Sequence, residues 1–323
     1  MTESTLRRLL RTAPILQVAA VLVLGIAAAT TIDGFLTLTS IYSTLVLASF
    51  LGIAAAGQTT VILIGGIDLS VPALITGANL VSTSLTGKGW SFVTVCLFLL
   101  AAASIVGVIN GYTTHRFRVP PLIVTLATGA VVTGATLGWT KGGQVSGQVP
   151  HWLATFSSPI GKVFGIKLPP IVLLWALLAL VLAVVLHMSV AGRRVYATGA
   201  NERAAELAGV KTLRVWIGAF VFSAVCAAVV GVLLAGFTGT GQAGIGDSYL
   251  FTSLAAVLVG GTSLVGARGD YWRTVLGALI LTLITTLLVG HGADESTQEI
   301  LIGVLILVFV GVYGRDQRVR DRV

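Results

Sequence analysis

The residues able to do chemistry in this chain are few and scattered. Its four histidines, His115, His151, His187 and His291, fall on separate loops or segment ends, so neither a zinc ligand set nor a catalytic triad can be assembled from the sequence. Cys96 and Cys226 lie inside apolar runs, far apart, and read as small buried hydrophobes. Gly239 to Gly244 spells G-x-G-x-x-G, but a dinucleotide site needs a strand before it and a helix after it. Here the match falls in a loop between apolar segments and reads as a turn. No G-x-x-x-x-G-K-[ST] stretch occurs, so the chain carries no ATP-binding P-loop of its own.

What remains is a set of polar groups in apolar surroundings. Asp68 follows Gly65-Gly66-Ile67 and precedes Leu69-Ser70. Three readings stand: it caps the following helix, it holds a break made by the glycine pair so that two helices move as a unit beside a pathway, or it relays an ion. Gln58, Asn79 and Asn110 either bond a neighbouring helix or meet a substrate hydroxyl.

Composition fixes the surroundings. Of 323 residues, 55% are hydrophobic and only 10% charged, with a mean hydropathy of +0.97, against about 25% charged in soluble domains. A soluble globule is excluded. The net charge of +8 has no soluble module to present it, so nucleic acid is not an expected partner, whereas membrane lipid is. Apolar runs are continuous rather than alternating, which excludes an outer-membrane barrel, and lipid forces the backbone into helices. The expected class is an all-α polytopic membrane protein, a single transmembrane domain over 1–323.

Ten apolar runs are long enough to be spans: 14–32, 41–64, 69–86, 90–111, 121–140, 169–188, 215–236, 250–266, 274–290 and 299–314. The first follows Arg7, Arg8 and Arg11 and reads as an uncleaved anchor rather than a signal peptide. With both termini cytoplasmic, alternation puts 16 of the 20 Lys and Arg residues on the inner side, leaving Lys88, Lys141, Lys162 and Lys167 outside. Gly107-xxx-Gly111 and Gly134-xxx-Gly138 predict close helix approach. Gly65 to Leu69 is faintly echoed by Gly260-Gly261-Thr262-Ser263-Leu264, either by chance or as an internal repeat.

Two loops are long enough for function. The outer one, 141–168, is rich in Gly, Ser and Pro and carries Trp152 and Phe156, as an interfacial loop or short re-entrant helix would. The inner one, 189–214, predicts a short amphipathic helix with Asn201 as N-cap, Glu202 in the first turn and Gly209 at its end. A capped helix between two spans invites a partner.

Read together, these segments resemble the permease subunits of bacterial ATP-binding-cassette importers of the ribose/xylose/galactose/autoinducer-2 type. The matching stretches are Gly65 to Val71; Asn110-Gly111 followed by a basic loop and Val119 to Leu126; and Leu254 to Leu264 with Gln298. The strongest match is the inner loop, where Gly192, Arg193, Tyr196, Ala197, Gly199, Asn201, Ala204, Ala205 and Gly209 fall on the family pattern. Pro72, where similar permeases have glycine, and Ala267 and Arg273, in a stretch usually richer in glycine, depart from it.

The resemblance implies a type II importer architecture like that of cobalamin permeases and transport of a monosaccharide or sugar-like solute across the bacterial plasma membrane. It also implies a second permease chain, a separate cytoplasmic ATPase and an extracytoplasmic binding protein, with no cofactor, metal or catalysis in this subunit. It casts Gly199, Asn201, Glu202, Arg203, Ala204, Ala205 and Gly209 as the ATPase-coupling helix. Gly65, Gly66, Asp68, Ser70, Asn79, Asn110, Gly260 and Gly261 become candidates for the pathway or its helix breaks. The competing class is an ion-coupled secondary transporter, which places ionisable groups or broken helices at the midplane.

Overall fold

The computed structural model describes residues 14–142, 145, 149–163, 167–294 and 296–307. Arg7, Arg8, Arg11, Arg315, Arg318, Arg320 and Arg322, and the tenth apolar run beyond residue 307, lie outside the described residues. Among the described residues each of the ten apolar runs overlaps a helix, and an isolated bridge pairs Val145 with Gly241.

The helices are α1 (Ile15–Thr31), α2 (Leu38–Leu63), α3 (Val71–Gly87), α4 (Phe92–Phe117), α5 (Pro121–Thr140), α6 (His151–Ser157), α7 (Pro170–Met188), α8 (Val190–Ala200), α9 (Glu202–Leu207), α10 (Thr212–Thr238), α11 (Tyr249–Val259) and α12 (Tyr271–Gly290), with α13 at Ser296–Leu307. Six of them, α2, α4, α5, α7, α10 and α12, are long and apolar enough to cross a membrane. Local chemistry sets their ends. Pro121 and Pro170 open α5 and α7, where a missing N–H costs nothing. Thr37, Ser189 and Asp270 cap α2, α8 and α12 by accepting from Ser40, Gly192 and Arg273 N–H groups.

Helix α2 is the core: 89% of its most apolar 18 residues are buried, against 22% in both α4 and α5, whose outward faces suit lipid. Helix α10 packs along α2, α3 and α4. Small residues permit the approach. A Cβ on Gly107 would lie 2.5 Å from Val221 Cα, and one on Gly111 2.6 Å from Ile217 Cα, so this predicted pair does bring two backbones together. The second predicted pair does not do so within the chain: Gly134 and Gly138 on α5 have open space around them. Farther along α2, a Cβ on Gly52 would fall on the Trp175 indole, which donates to the Tyr271 hydroxyl (3.0 Å), which in turn donates to Gly52 O (2.7 Å). This buried chain fastens α2, α7 and α12.

Candidate functional site

Two non-helical segments, 64–70 and 239–248, run inside the bundle and meet along α3. The first begins where α2 stops. Gly65 adopts φ +84°, its N–H bonds Ile62 O and the Gly66 N–H bonds Val61 O, a Schellman closure that satisfies the orphan carbonyls. The chain then turns back into the protein. Gln58 of α2 holds Asp68 from both sides, donating to its carbonyl and accepting from its N–H, each at 3.2 Å. The Asp68 Oδ1 accepts from the N–H (3.0 Å) and hydroxyl (2.6 Å) of Ser70. Asn110 of α4 donates to Ser70 Oγ (3.1 Å) and accepts from Thr128 of α5 (2.7 Å), while Thr125 accepts from the Leu69 N–H (3.0 Å). Gln58, Asp68, Ser70, Asn110 and Thr125 are all buried.

This arrangement corrects the reading of Asp68 as the cap of the following helix. Ser70 occupies the cap position and makes no capping bond, while Asp68 organises the turn before it. Nor does α3 start at the end of the bundle. A Cβ on Gly129, two turns into α5, would lie 3.5 Å from Ser70 Cα, so α3 begins about 12 Å below the start of α5. The buried hydroxyl of Ser223 on α10 stands beside the Asp68 carboxylate, whose Oδ1 is taken by Ser70.

The second segment was legible only as a turn, and that reading is incomplete. Gly239 closes α10 in the left-handed region (φ +72°), and Gly241 exchanges backbone hydrogen bonds with Val145 at 2.9 and 3.1 Å. The chain then descends along α3. Gln242 N–H donates to Asn79 Oδ1 (2.8 Å), and Gly246 N–H donates to Thr76 Oγ1 (3.0 Å). A Cβ on Gly246 would stand 2.1 Å from Pro72 O. Asn79 also donates to Gly231 O (3.4 Å), so one buried amide ties α3, α10 and this segment. Two turns of α3 separate Asn79 from Pro72. The segment therefore descends about 10 Å between those levels, and α11 starts deep inside the bundle.

At the end of the bundle where α2 stops, α8 and α9 cover the breaks. The predicted helix of the 189–214 loop is α9, capped by Asn201, which accepts from Ala204 N–H (3.0 Å), and a second helix that the sequence reading missed, α8, precedes it, the two parted by the extended conformation of Asn201. Gly199 belongs to α8, and a Cβ there would lie 1.9 Å from Leu63 O and 2.9 Å from Ala267 N. That same Leu63 carbonyl accepts from the Ala267 N–H at 2.9 Å. Tyr196 donates to Gly269 O (2.8 Å); burial, then the nearby Asp270 carboxylate, push its phenol up to about 12, which keeps the donor proton in place. Gly209 ends α9 as predicted, at φ +84° with a Schellman pair of bonds. Ala205 is buried, whereas Arg203, Ala204 and Leu207 face outward, Leu207 at 86% exposure.

The glycine echo has a shared geometry with a register shift. Gly261, at φ +91°, closes α11 through its bond to Leu258 O and that of Thr262 to Val257 O, as Gly65 closes α2. Gly65 thus corresponds to Gly261, not to Gly260. Gly260 instead abuts Arg273 of α12 and accepts from Gln17 of α1 (3.2 Å).

One cluster among the described residues could hold a metal ion. His115 Nε2 of α4 lies 3.1 Å from Glu202 Oε1, 3.7 Å from Glu206 Oε1 and 2.8 Å from Thr212 Oγ1, which donates to Glu206 (2.6 Å). Arg118 donates to Glu202 Oε2 at 3.3 Å. As an ion-pair cluster it fastens α9 to the end of α4. Sequence reasoning separated His115 from these glutamates because only the fold brings the two helices together.

Of the basic residues in the described part, Arg116, Arg118, Arg193, Arg194, Arg203, Lys211, Arg214, Arg268 and Arg273 gather at the α8–α9 end. Lys88, Lys141, Lys162 and Lys167 belong to the opposite end. There α6, within the 141–168 loop, sets Trp152 edge-on to Phe92 at 5.1 Å and Leu153 against Gly236.

Comparison with known proteins agrees with this architecture. A family model described as branched-chain amino acid transport system / permease component matches residues 40–310. The chain is 33% identical over 260 residues to the ribose import permease protein of Bacillus subtilis, covering 80% of each chain. It is 32% identical over 321 residues to the fructose import permease protein of Rhizobium meliloti, covering 98% of this chain and 88% of that one. It is 34% identical over 288 residues to the autoinducer 2 import system permease protein of Yersinia pseudotuberculosis, covering 89% and 79%. No solved structure matches it significantly. With six membrane-capable helices and a match spanning most of its length, the chain is a multi-pass membrane protein of the branched-chain amino acid transport system permease family.

Proposed function

We propose that this chain is the membrane subunit of an ATP-binding-cassette importer that moves a monosaccharide or sugar-like solute, a pentose, hexose, polyol or autoinducer-like molecule. The observation that carries the reading is the junction on Leu63 O, where Gly199 of α8, the end of α2 and the loop before α12 touch. A push on α8–α9 from outside the membrane reaches both helix breaks through this junction. The names of the relatives supply the solute class.

In this reading the chain crosses the membrane ten times with type II topology. The α8–α9 end, rich in Arg and Lys, is cytoplasmic together with both termini. A separate ATPase docks on the outward face of α9, around Arg203, Ala204 and Leu207, with Gly199, Asn201, Glu202, Ala205 and Gly209 fixing that helix in place. An external binding protein delivers the solute. A second permease chain completes the pathway, and the open face of α5 at Gly134 and Gly138 suits close packing of a helix from it. The pathway follows the breaks at Gly65, Gly66, Asp68 and Ser70, the helix end at Gly260 and Gly261, and the polar side chains Asn79 and Asn110.

The test is ATP-dependent uptake in proteoliposomes holding this chain with its ATPase and binding subunits, against labelled sugars and polyols. Uptake that requires every component supports the reading. Uptake by the chain alone, driven by an ion gradient and indifferent to ATP, replaces it with a secondary transporter. In the complete assembly, Ala205→Glu and Gly209→Val abolish uptake while membrane insertion persists, since one displaces the buried side of α9 and the other forbids its closing turn. Full uptake in both variants removes α9 from the coupling role.

A further inference from the structure

Asp247 stands apart from the other described acidic residues. Its backbone neighbour Gly246 is pinned to Thr76 and Pro72 of α3, and after Ser248 the chain enters α11, which runs about 16 Å to Gly260 at the α8–α9 end. The Asp247 carboxylate therefore lies near the middle of an apolar belt about 30 Å thick. It is nevertheless exposed, and no cation pairs with it among the described residues, whose Lys and Arg gather at the two ends. A lone carboxylate facing hydrocarbon at this depth is costly, so such residues turn toward a water-filled path or a bound partner.

The surroundings have the chemistry of a polyol site. Ser248 and Phe251 are also exposed, Ser248 at the start of α11 and Phe251, at 58%, in its first turn. Gly244, at φ +80°, leaves the space that the carboxylate uses, since a Cβ there would approach Asp247 Oδ2 to 3.0 Å. A carboxylate accepts two hydroxyl hydrogen bonds, a serine hydroxyl gives or takes one, and an aromatic ring covers the C–H face of a sugar ring. We propose that Asp247, Ser248 and Phe251 form a solute-contacting wall of the translocation path, selective for neutral polyhydroxylated solutes. This deepens the importer reading and rests on it for the solute, while the exposure of Asp247 to water does not.

The experiment has two arms on the assembled transporter. In the first, Asp247→Cys is treated with a membrane-impermeant charged methanethiosulfonate, with the unsubstituted chain reporting any reaction at Cys96 and Cys226. Labelling specific to the variant, slowed by a transported sugar, is the expected result. Absence of labelling overturns the proposal, because the residue is then covered by lipid or by a second permease chain. In the second arm, Asp247→Asn, which keeps the shape, raises the KM for sugar uptake by about tenfold, the value of one hydrogen bond to a charged group, while Phe251→Ala weakens uptake without altering insertion. Wild-type KM in Asp247→Asn, or labelling indifferent to every sugar, also overturns it. If the unsubstituted assembly takes up no sugar, the importer reading fails, and labelling still reports whether Asp247 faces water.

Discussion

The two segments that flank α3 solve the same problem with opposite means. Segment 64–70 is largely buried and satisfied by side chains: Gln58, Ser70 and Thr125 supply partners to its backbone and to Asp68, and Asn110, itself held by Thr128, bonds the Ser70 hydroxyl. Segment 239–248 is glycine-rich and partly exposed, and holds to α3 through two side chains, Thr76 and Asn79, with Gly241 paired to Val145. The first is a rigid joint held from three helices, the second a strip laid against one. Non-helical backbone inside a membrane protein is tolerated only where protein or a water-filled cavity covers it; the first segment is covered by protein, and the second is assigned to the other case by the proposed path along Asp247.

Substitutions break or sharpen that contrast in a definite order. The largest effect is expected at Gly246→Ala, because the new methyl meets Pro72 O at 2.1 Å and neither backbone can retreat. A loss of about 3 kcal/mol is expected, read as a fall in the apparent Tm of the detergent-purified protein. Asn79→Ala follows, at about 2 kcal/mol, since it strands the Gln242 N–H and loosens the strip from α3. Ser70→Ala removes the hydroxyl shared by Asp68 and Asn110 and costs about 1.5 kcal/mol. The remaining bonds of the joint keep the start of α3 in place, so protease accessibility of the 64–70 turn stays unchanged; new cleavage there would show that the joint is not redundant. The smallest effect is at Gly244→Ala, about 1 kcal/mol from its positive φ, with the Asp247 side chain shifting to admit the methyl and the sugar KM rising. The reverse order between Gly246→Ala and Gly244→Ala would contradict the account of the strip as anchored at Gln242 and Gly246 and open between them.

Legibility followed the same division. The joint could be anticipated because Gly65, Gly66 and Asp68 are unusual among apolar neighbours, and the Asn201 cap and Gly209 closure were readable from their positions around a short helix. The strip could not, because Gly239 to Asp247 looks like any polar connection and only its contacts with Asn79 and Thr76 show that it descends into the protein. His115 was invisible as a partner of Glu202 and Glu206 for a similar reason, since α4 and α9 are far apart in sequence. Gly134 and Gly138 carry the same pattern as Gly107 and Gly111 yet meet nothing within the chain, so a small-residue motif predicts an approach without naming the helix that makes it.

The carbonyl of Leu63 carries a consequence for how the protein is made. Its N–H partner belongs to Ala267, so during synthesis α2 is threaded into the bilayer long before the group that completes its end has left the ribosome. A nascent chain stopping short of α11 lacks only the Ala267 N–H on that carbonyl, while Gly199 of α8 already packs against it. The end of α2 is therefore completed only once the loop before α12 has been made.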